Sequence, residues 1–165
     1  LLVIVTMVDG KVNWLLARHS GIIGHDRVMV SLAKLHYTNK GIKDTKILSI
    51  NLVNEEMLKK ADYVGSVSGS KIDKSDVFEY HIGDSGAPII NNAPVVMECR
   101  VENNYETDTF DNFIMTIDNT YVQEENLDEQ GKIDYTKFSP VLFEFPKYTY
   151  LRTGDTIGNC LRLDK

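Results

Sequence analysis

The sequence predicts a mainly all-β fold, an antiparallel β-barrel decorated by short helices. Three observations carry that prediction. A hairpin signal lies near the N-terminus, apolar and polar residues alternate from Val95 to Glu102, and nowhere do strands and helices alternate as a parallel sheet requires. The chain has 165 residues; that length suits one domain, 1–165, burying roughly 70% of its unfolded surface around a single core.

Leu1 to Val8 is β-rich and ends at Asp9-Gly10, a dipeptide suited to a tight hairpin, after which Lys11 to Ala17 reads as the returning strand. The opening run Leu1-Leu2-Val3-Ile4-Val5 has neither a basic segment before it nor a small-residue cleavage site after it, so it reads as strand rather than signal peptide. Trp14, the lone tryptophan, sits in the returning strand and is expected in the core. Arg27 to Ala33 is another β-branched run. Thr38 then caps a short helix through about Lys46, weakened by Gly41. Ile47 to Leu52 is a strand, and Asn54 caps a second helix, expected to be short and peripheral. Its Met57, Leu58 and Ala61 share a face, while Glu55, Glu56, Lys59 and Lys60 look to water.

Gly65 to Asn92, rich in Gly, Ser and Asp, reads as one long irregular connection, and such connections tend to carry function. From Val95 to Glu102 the apolar Val95, Met97, Cys99 and Val101 alternate with Val96, Glu98, Arg100 and Glu102, the period of a half-buried strand. Phe110 to Val122 supplies a further long strand. Val141 to Phe145 and Tyr148 to Leu151 are shorter ones separated by Pro146.

Composition narrows the partners. Lys plus Arg number 18 against 24 Asp plus Glu, a net charge of −6, which argues against a surface for nucleic acid or anionic membrane. No apolar stretch reaches the ~18 residues that span a bilayer. Two isolated cysteines, Cys99 and Cys160, form no C-x-x-C pair and no cluster at metal-ligand spacing, so no metal is expected. Free thiols in a reducing cytoplasm are the expected reading. The chain does not open on Met, which leaves room for lost N-terminal residues or a leader and weakens that compartment reading.

Gly83-Asp84-Ser85-Gly86-Ala87-Pro88 looks like the nucleophile loop of a chymotrypsin-like serine protease. Such a protease needs a His and an Asp held by earlier structure, yet the candidate bases His19, His25 and His36 precede any completed barrel. The string therefore reads as a surface loop, with Ala87-Pro88 starting an extended segment. Ser31, Lys34, His36, Tyr37, Thr38, Asn39 and Lys40 bring hydroxyls, an amide and cations to a strand end and helix start, the setting that attracts a phosphate. A solvated turn has the same composition. Gly65-Ser66-Val67-Ser68-Gly69 can let backbone approach a ligand closely, and Asp73-Lys74 can pair with each other or offer one ammonium.

Taken in order, these segments resemble the flavin reductase-like family, whose flavoredoxin branch binds FMN on a split β-barrel of Greek-key type. The resemblance covers nearly the whole chain. It runs through Val5-Thr6-x-Val8-Asp9-Gly10-Lys11-x-Asn13, Val30-Ser31-Leu32 with Lys34, Tyr37 and Thr38, and Ile50-Asn51-Leu52. It continues through Gly65-x-x-Ser68-Gly69-x-x-x-Asp73-Lys74, Ala87-Pro88 with Glu98-Cys99, and Gly131 through Pro140. Where the family carries a Thr-Ala-Ser segment, this chain has Trp14-Leu15-Leu16-Ala17-Arg18-His19, and Asp26-Arg27-Val28 replaces the usual Asp-Pro-Pro.

The resemblance implies an FMN-dependent oxidoreductase fed by NADH or NADPH, passing electrons to a flavin, ferric or protein acceptor, and working as a homodimer. A flavin-binding electron carrier with no nicotinamide site is the alternative. It further implies a phosphate near Lys34, Tyr37 and Thr38, and a flavin ring along Asn13, Leu15, Leu16, Ala17 and Ser31, with His36 among the cofactor-binding residues and Asn51 at a matching strand position. Arg18 or His19 would replace neutral donors, and Ser68, Gly69 and Lys74 would stand at the mouth.

Overall fold

The computed structural model describes residues 1–163. Its elements are β1 (Leu2–Val8), β2 (Lys11–Ala17), β3 (Ser20–Ile22), β4 (Arg27–Ala33), α1 (Thr38–Thr45), β5 (Ile47–Leu52), α2 (Glu55–Ser66), β6 (Tyr80–Ile82), β7 (Pro88–Ile90), β8 (Val95–Glu106), β9 (Phe110–Val122), β10 (Val141–Glu144) and β11 (Thr149–Arg152). Seven of them form one antiparallel sheet in the order β2-β1-β5-β8-β9-β4-β3, while β6-β7 and β10-β11 are separate ribbons. The sheet curls until β2 and β4 touch without forming a ladder, so the barrel stays split along one seam.

The hairpin at Asp9-Gly10 forms as the sequence predicts, with φ of 50° and 80° at the two turn residues and Val8 opposite Lys11. Its strands are apolar almost throughout because both of their faces are covered. Val3, Val5, Val12, Trp14 and Leu16 join one core under α2, while Ile4, Leu15 and Ala17 join a second core inside the barrel with Val30, Ile50 and Phe113. Trp14 is fully buried, edge-on to Phe78 at 5.3 Å, with Nε1 donating to Lys74 O at 2.8 Å.

Several expectations are corrected. Thr38 is the first residue of α1, not its cap; Tyr37 holds the cap position without a side-chain bond, and the helix ends at Thr45 with Lys46 left-handed. Gly41 does not weaken α1 but lets it dock, since a Cβ there would lie 2.3 Å from Met7 O. Asn54 does cap α2, accepting from Met57 N at 3.1 Å, but that helix is core rather than periphery: Met57, Ala61 and Val64 are buried in the Trp14 cluster. Nor is 65–92 one irregular loop, because Gly65 and Ser66 finish α2 and two short strands follow.

The chain also departs from expectation at Glu98, predicted to face water. It is fully buried at a β-bulge in β8. Its carboxylate accepts from Ser85 N and Ala87 N at 3.1 and 3.2 Å, from Asn119 Nδ2 at 3.0 Å and from Tyr121 Oη at 2.8 Å. Burial pushes this carboxyl up, and the four donors outweigh it to leave the group below its ordinary range. The protease-like string is thus the turn that wraps a buried acid, and Ser85 Oγ accepts from Asn119. No histidine bonds Ser85 among the described residues. Both cysteines are free; Cys99 is buried, which pushes its thiol up to about 12. No described helix is long and apolar enough to cross a membrane.

Candidate functional site

Where β2, the β4–α1 turn and the segment after α2 meet, they enclose a groove of about 220 Å³. It continues into a second hollow of about 340 Å³ that shares Asn13, Tyr37, Gly69 and Lys74. Together these fall in the size range of small-molecule sites, roughly 300–1,000 Å³. Eight of the fourteen sequence-predicted residues line the groove: Asn13, Leu15, His36, Tyr37, Thr38, Ser68, Gly69 and Lys74.

Local chemistry fixes each wall. β2 is an edge strand of the sheet, so alternate backbone groups along Asn13–Ala17 are not used by β1. Asn13, 5% exposed, donates from Nδ2 to Thr38 Oγ1 at 2.7 Å, joining β2 to the first turn of α1. Tyr37 Oη donates to Asp9 Oδ2 at 2.8 Å, and Lys40 Nζ reaches the same carboxylate, so the hairpin turn and α1 are tied together. Lys40 and Tyr37 hold Asp9 below the usual carboxylate range. Opposite, Gly69 needs to be glycine: a Cβ would lie 2.1 Å from Asn13 Oδ1 and 3.1 Å from Tyr37 Cδ1.

Lys74 is the most constrained member. Its side chain is 4% exposed, and Nζ donates to Val64 O at 2.6 Å and Val67 O at 2.8 Å, closing the C-terminal end of α2 where a cation suits the helix dipole. Burial brings its ammonium down to about 8. Asp73 does not pair with it; that carboxylate bonds Lys11 at 2.8 Å and is held well below the usual range by Lys11 and Ser75. His36 is also lowered, by burial first and then by the charges of Lys74 and Arg18. No Asp or Glu lines this groove.

The other six predicted residues, and His19 as the alternative to Arg18, lie elsewhere. Leu16 faces the α2 core, and Ala17 the barrel core. Ser31 sits on β4 opposite Asn112, its N–H on His19 O. Lys34 points to Glu106, pairing at 3.1 Å. Asn51 is fully buried, bonding Val3 O, Ser49 Oγ and Ile90 N as a strut between strands. Arg18 lies 4.5 Å over the Phe143 ring, and His19 stacks on Phe145 at 4.9 Å, so both are engaged with the β10-β11 ribbon. Sequence reading missed Leu35, which lines the groove together with Gly65, Ser66 and Val67 of the stretch expected to approach a ligand. The signal for Leu35 was an apolar residue in an otherwise polar turn, and it is 97% exposed.

A larger hollow of about 440 Å³ lies at the far side of α2. Glu55, Glu56 and Glu125 line it with Lys137 as the cation, a surplus of negative charge that disfavours an anion.

The family model for the flavin reductase like domain matches residues 2–152. The chain belongs to the flavin reductase-like family. Among solved structures, the flavoredoxin of Methanosarcina acetivorans is 34% identical with a TM-score of 0.94, over 99% of this chain and 89% of that one. Flavoredoxin of Desulfovibrio vulgaris (Miyazaki F) is 26% identical with a TM-score of 0.92, over 99% and 91%. An FMN-binding protein from Thermus thermophilus, at 22% identity and a TM-score of 0.84 over 96% and 88%, shares the fold. No curated protein matches. The split barrel is therefore the fold of this family, and a flavin reductase-like chain carries flavin-related electron transfer as its general business.

Proposed function

We propose that the protein binds FMN in the groove and passes electrons from NADH or NADPH through it to a flavin, a ferric complex or a partner protein. The observation that carries the reading is a groove without a carboxylate, lined by Lys74 and His36 at the start of α1, in a chain of net charge −6. That surface selects an anion. Its fit to a phosphorylated flavin rests on the glycine at 69, which brings the 65–74 segment against Asn13, and on donors at both ends. The shared fold of an FMN-binding protein supports the choice of flavin.

Thr38, Tyr37 and the start of α1 would hold the phosphate: Asn39 N and Lys40 N are taken by His36 O and Tyr37 O, so the N–H groups of Tyr37 and Thr38 and the helix dipole would favour the negative charge. The unpaired edge of β2 along Asn13–Ala17 would bond the ring, with Ser68 and Gly69 closing the mouth. Bound flavin supplies the electron chemistry itself. The protein's share is positioning and field: Lys74, fixed by two carbonyls, keeps a positive charge in the groove and so favours the extra negative charge of reduction. A homodimer that covers the open sheet edges belongs to the same proposal, and sedimentation checks it.

The protein should bind FMN at micromolar affinity or better, roughly −8 kcal/mol, with quenching of flavin fluorescence; no quenching at millimolar FMN would remove the reading. Anaerobic stopped-flow with each nicotinamide tests the donor. A loaded protein inert to both leaves the second reading, an electron carrier without a nicotinamide site. The observation favouring that reading is that the 34% and 26% identical structures are both flavoredoxins.

A further inference from the structure

His36 occupies an unusual place. Its ring lines the groove at an exposed position, and its nitrogens bond no side chain or backbone group among the described residues. The charged groups whose fields reach it are Lys74 and Arg18, both cationic. The remaining walls present Asn13 and Leu15 from β2, Thr38 from α1 and the neutral 65–69 segment. Of the carboxylates in the adjoining hollow, Asp9 is engaged by Tyr37 and Lys40 and Asp73 by Lys11. Nothing negative stands ready to stabilise an imidazolium, whereas a phosphate monoester brings a charge of about −1.5 to −2.

We propose that His36 is a proton-coupled anchor for the ligand's phosphate, neutral before the phosphate arrives and protonated from solvent as it binds. The inference rests on the reading of the groove as an FMN site. No bond to phosphorus forms or breaks; one proton moves from water to the imidazole, and the resulting cation meets the anion. The physical basis is a change of sign in the local field. Two cations and partial burial disfavour a third positive charge, and the arriving anion reverses that balance. Affinity for a phosphorylated ligand must then rise as pH falls, because the bound form holds a proton that the free form does not.

The test compares wild type with His36→Gln, measuring FMN and riboflavin affinity by fluorescence quenching from pH 5.5 to 8.5. FMN's own phosphate ionises near 6, but it does so identically against both proteins and cancels in their ratio. The wild-type advantage for FMN should reach about tenfold at the acid end, the order of one charge-assisted contact to the phosphate. It should vanish by pH 8.5. Riboflavin should bind both proteins alike throughout. Calorimetry at pH 7 in buffers of different ionisation enthalpy should show more proton uptake with FMN in wild type than in His36→Gln, which retains only the contributions of Lys74 and of the phosphate itself. A ratio flat with pH, or proton uptake equal in the two proteins, overturns the role of His36 while leaving the FMN site standing. Failure of either flavin to bind wild type at any pH overturns the site itself and this inference with it.

Discussion

Lys74→Met tests the most constrained wall of the groove. The substitution keeps the unbranched stem, one heavy atom shorter, and removes the ammonium. At neutral pH two charge-assisted bonds to Val64 O and Val67 O are lost, at roughly 1.5–3 kcal/mol each. Against that stands the cost of burying the charge. The ammonium titrates at about 8 instead of 10.5, and at about 1.4 kcal/mol per pKa unit the buried cation costs about 3 kcal/mol. The net loss is therefore small at pH 7, about 1–2 kcal/mol. The sign of the pH dependence follows from linkage. Between about 8 and 10.5 the unfolded chain holds a proton on Lys74 that the folded chain has released, so wild type gains stability with rising pH relative to the variant. Urea unfolding of both proteins at pH 7, 8, 9 and 10 measures this, since titrations common to both cancel. The gap should widen by about 2–3 kcal/mol across that range. A gap constant to within about 0.5 kcal/mol would show that the Lys74 ammonium is solvated in the native protein and that the groove's cation is not held as described.

Gly69→Ala sets a Cβ 2.1 Å from Asn13 Oδ1 and should cost about 1–3 kcal/mol, with FMN affinity falling about tenfold or more; thermal unfolding and fluorescence titration read both. Thr38→Val leaves the buried Asn13 amide without its acceptor and should destabilise by about 1–3 kcal/mol in urea, while Lys34→Ala, which touches only the Glu106 side, should leave FMN affinity unchanged. Glu98→Gln removes the charge that four donors surround, costing about 2–4 kcal/mol at pH 7. Because that carboxyl is held below its ordinary range, its contribution is present above the unfolded-state pKa and lost as pH falls through the folded one. Acid unfolding of the variant should accordingly be less steep.

The strands were legible because their signals are local. Asp9-Gly10 marks a turn on its own, and the long apolar runs of β1, β4, β5 and β9 admit little besides sheet. What stayed hidden depended on contacts far along the chain. Glu98 reads as a surface residue until the 83–87 turn folds back over β8 and supplies its donors. Lys34 and His36 are both candidate phosphate partners two residues apart, yet one turns to Glu106 and the other into the groove. Only the partner on β8, 72 residues later than Lys34, separates them. Asn51 likewise looked like a ligand residue and is a strut, because its bonding partners are on β1 and β7. The eight residues that do meet in the groove come from three segments whose meeting the family resemblance supplied and periodicity alone did not.

β2 acts as a party wall. Trp14 and Leu16 are locked into the packing beneath α2, Leu15 and Ala17 into the barrel interior, and Asn13 onto α1. A strand clamped from both sides has no slack with which to remodel, because close-packed interiors resist changes of even one methylene. Any accommodation of a bulkier or differently shaped guest has to come from the opposing stretch after α2, where Ser66, Ser68, Ser70, Lys71 and Ile72 are exposed, whereas Gly65 is held against Leu16, Gly69 against Asn13 and Lys74 beneath α2. Diversification of what this scaffold accepts, by evolution or in the laboratory, is thereby channelled into those few exposed positions.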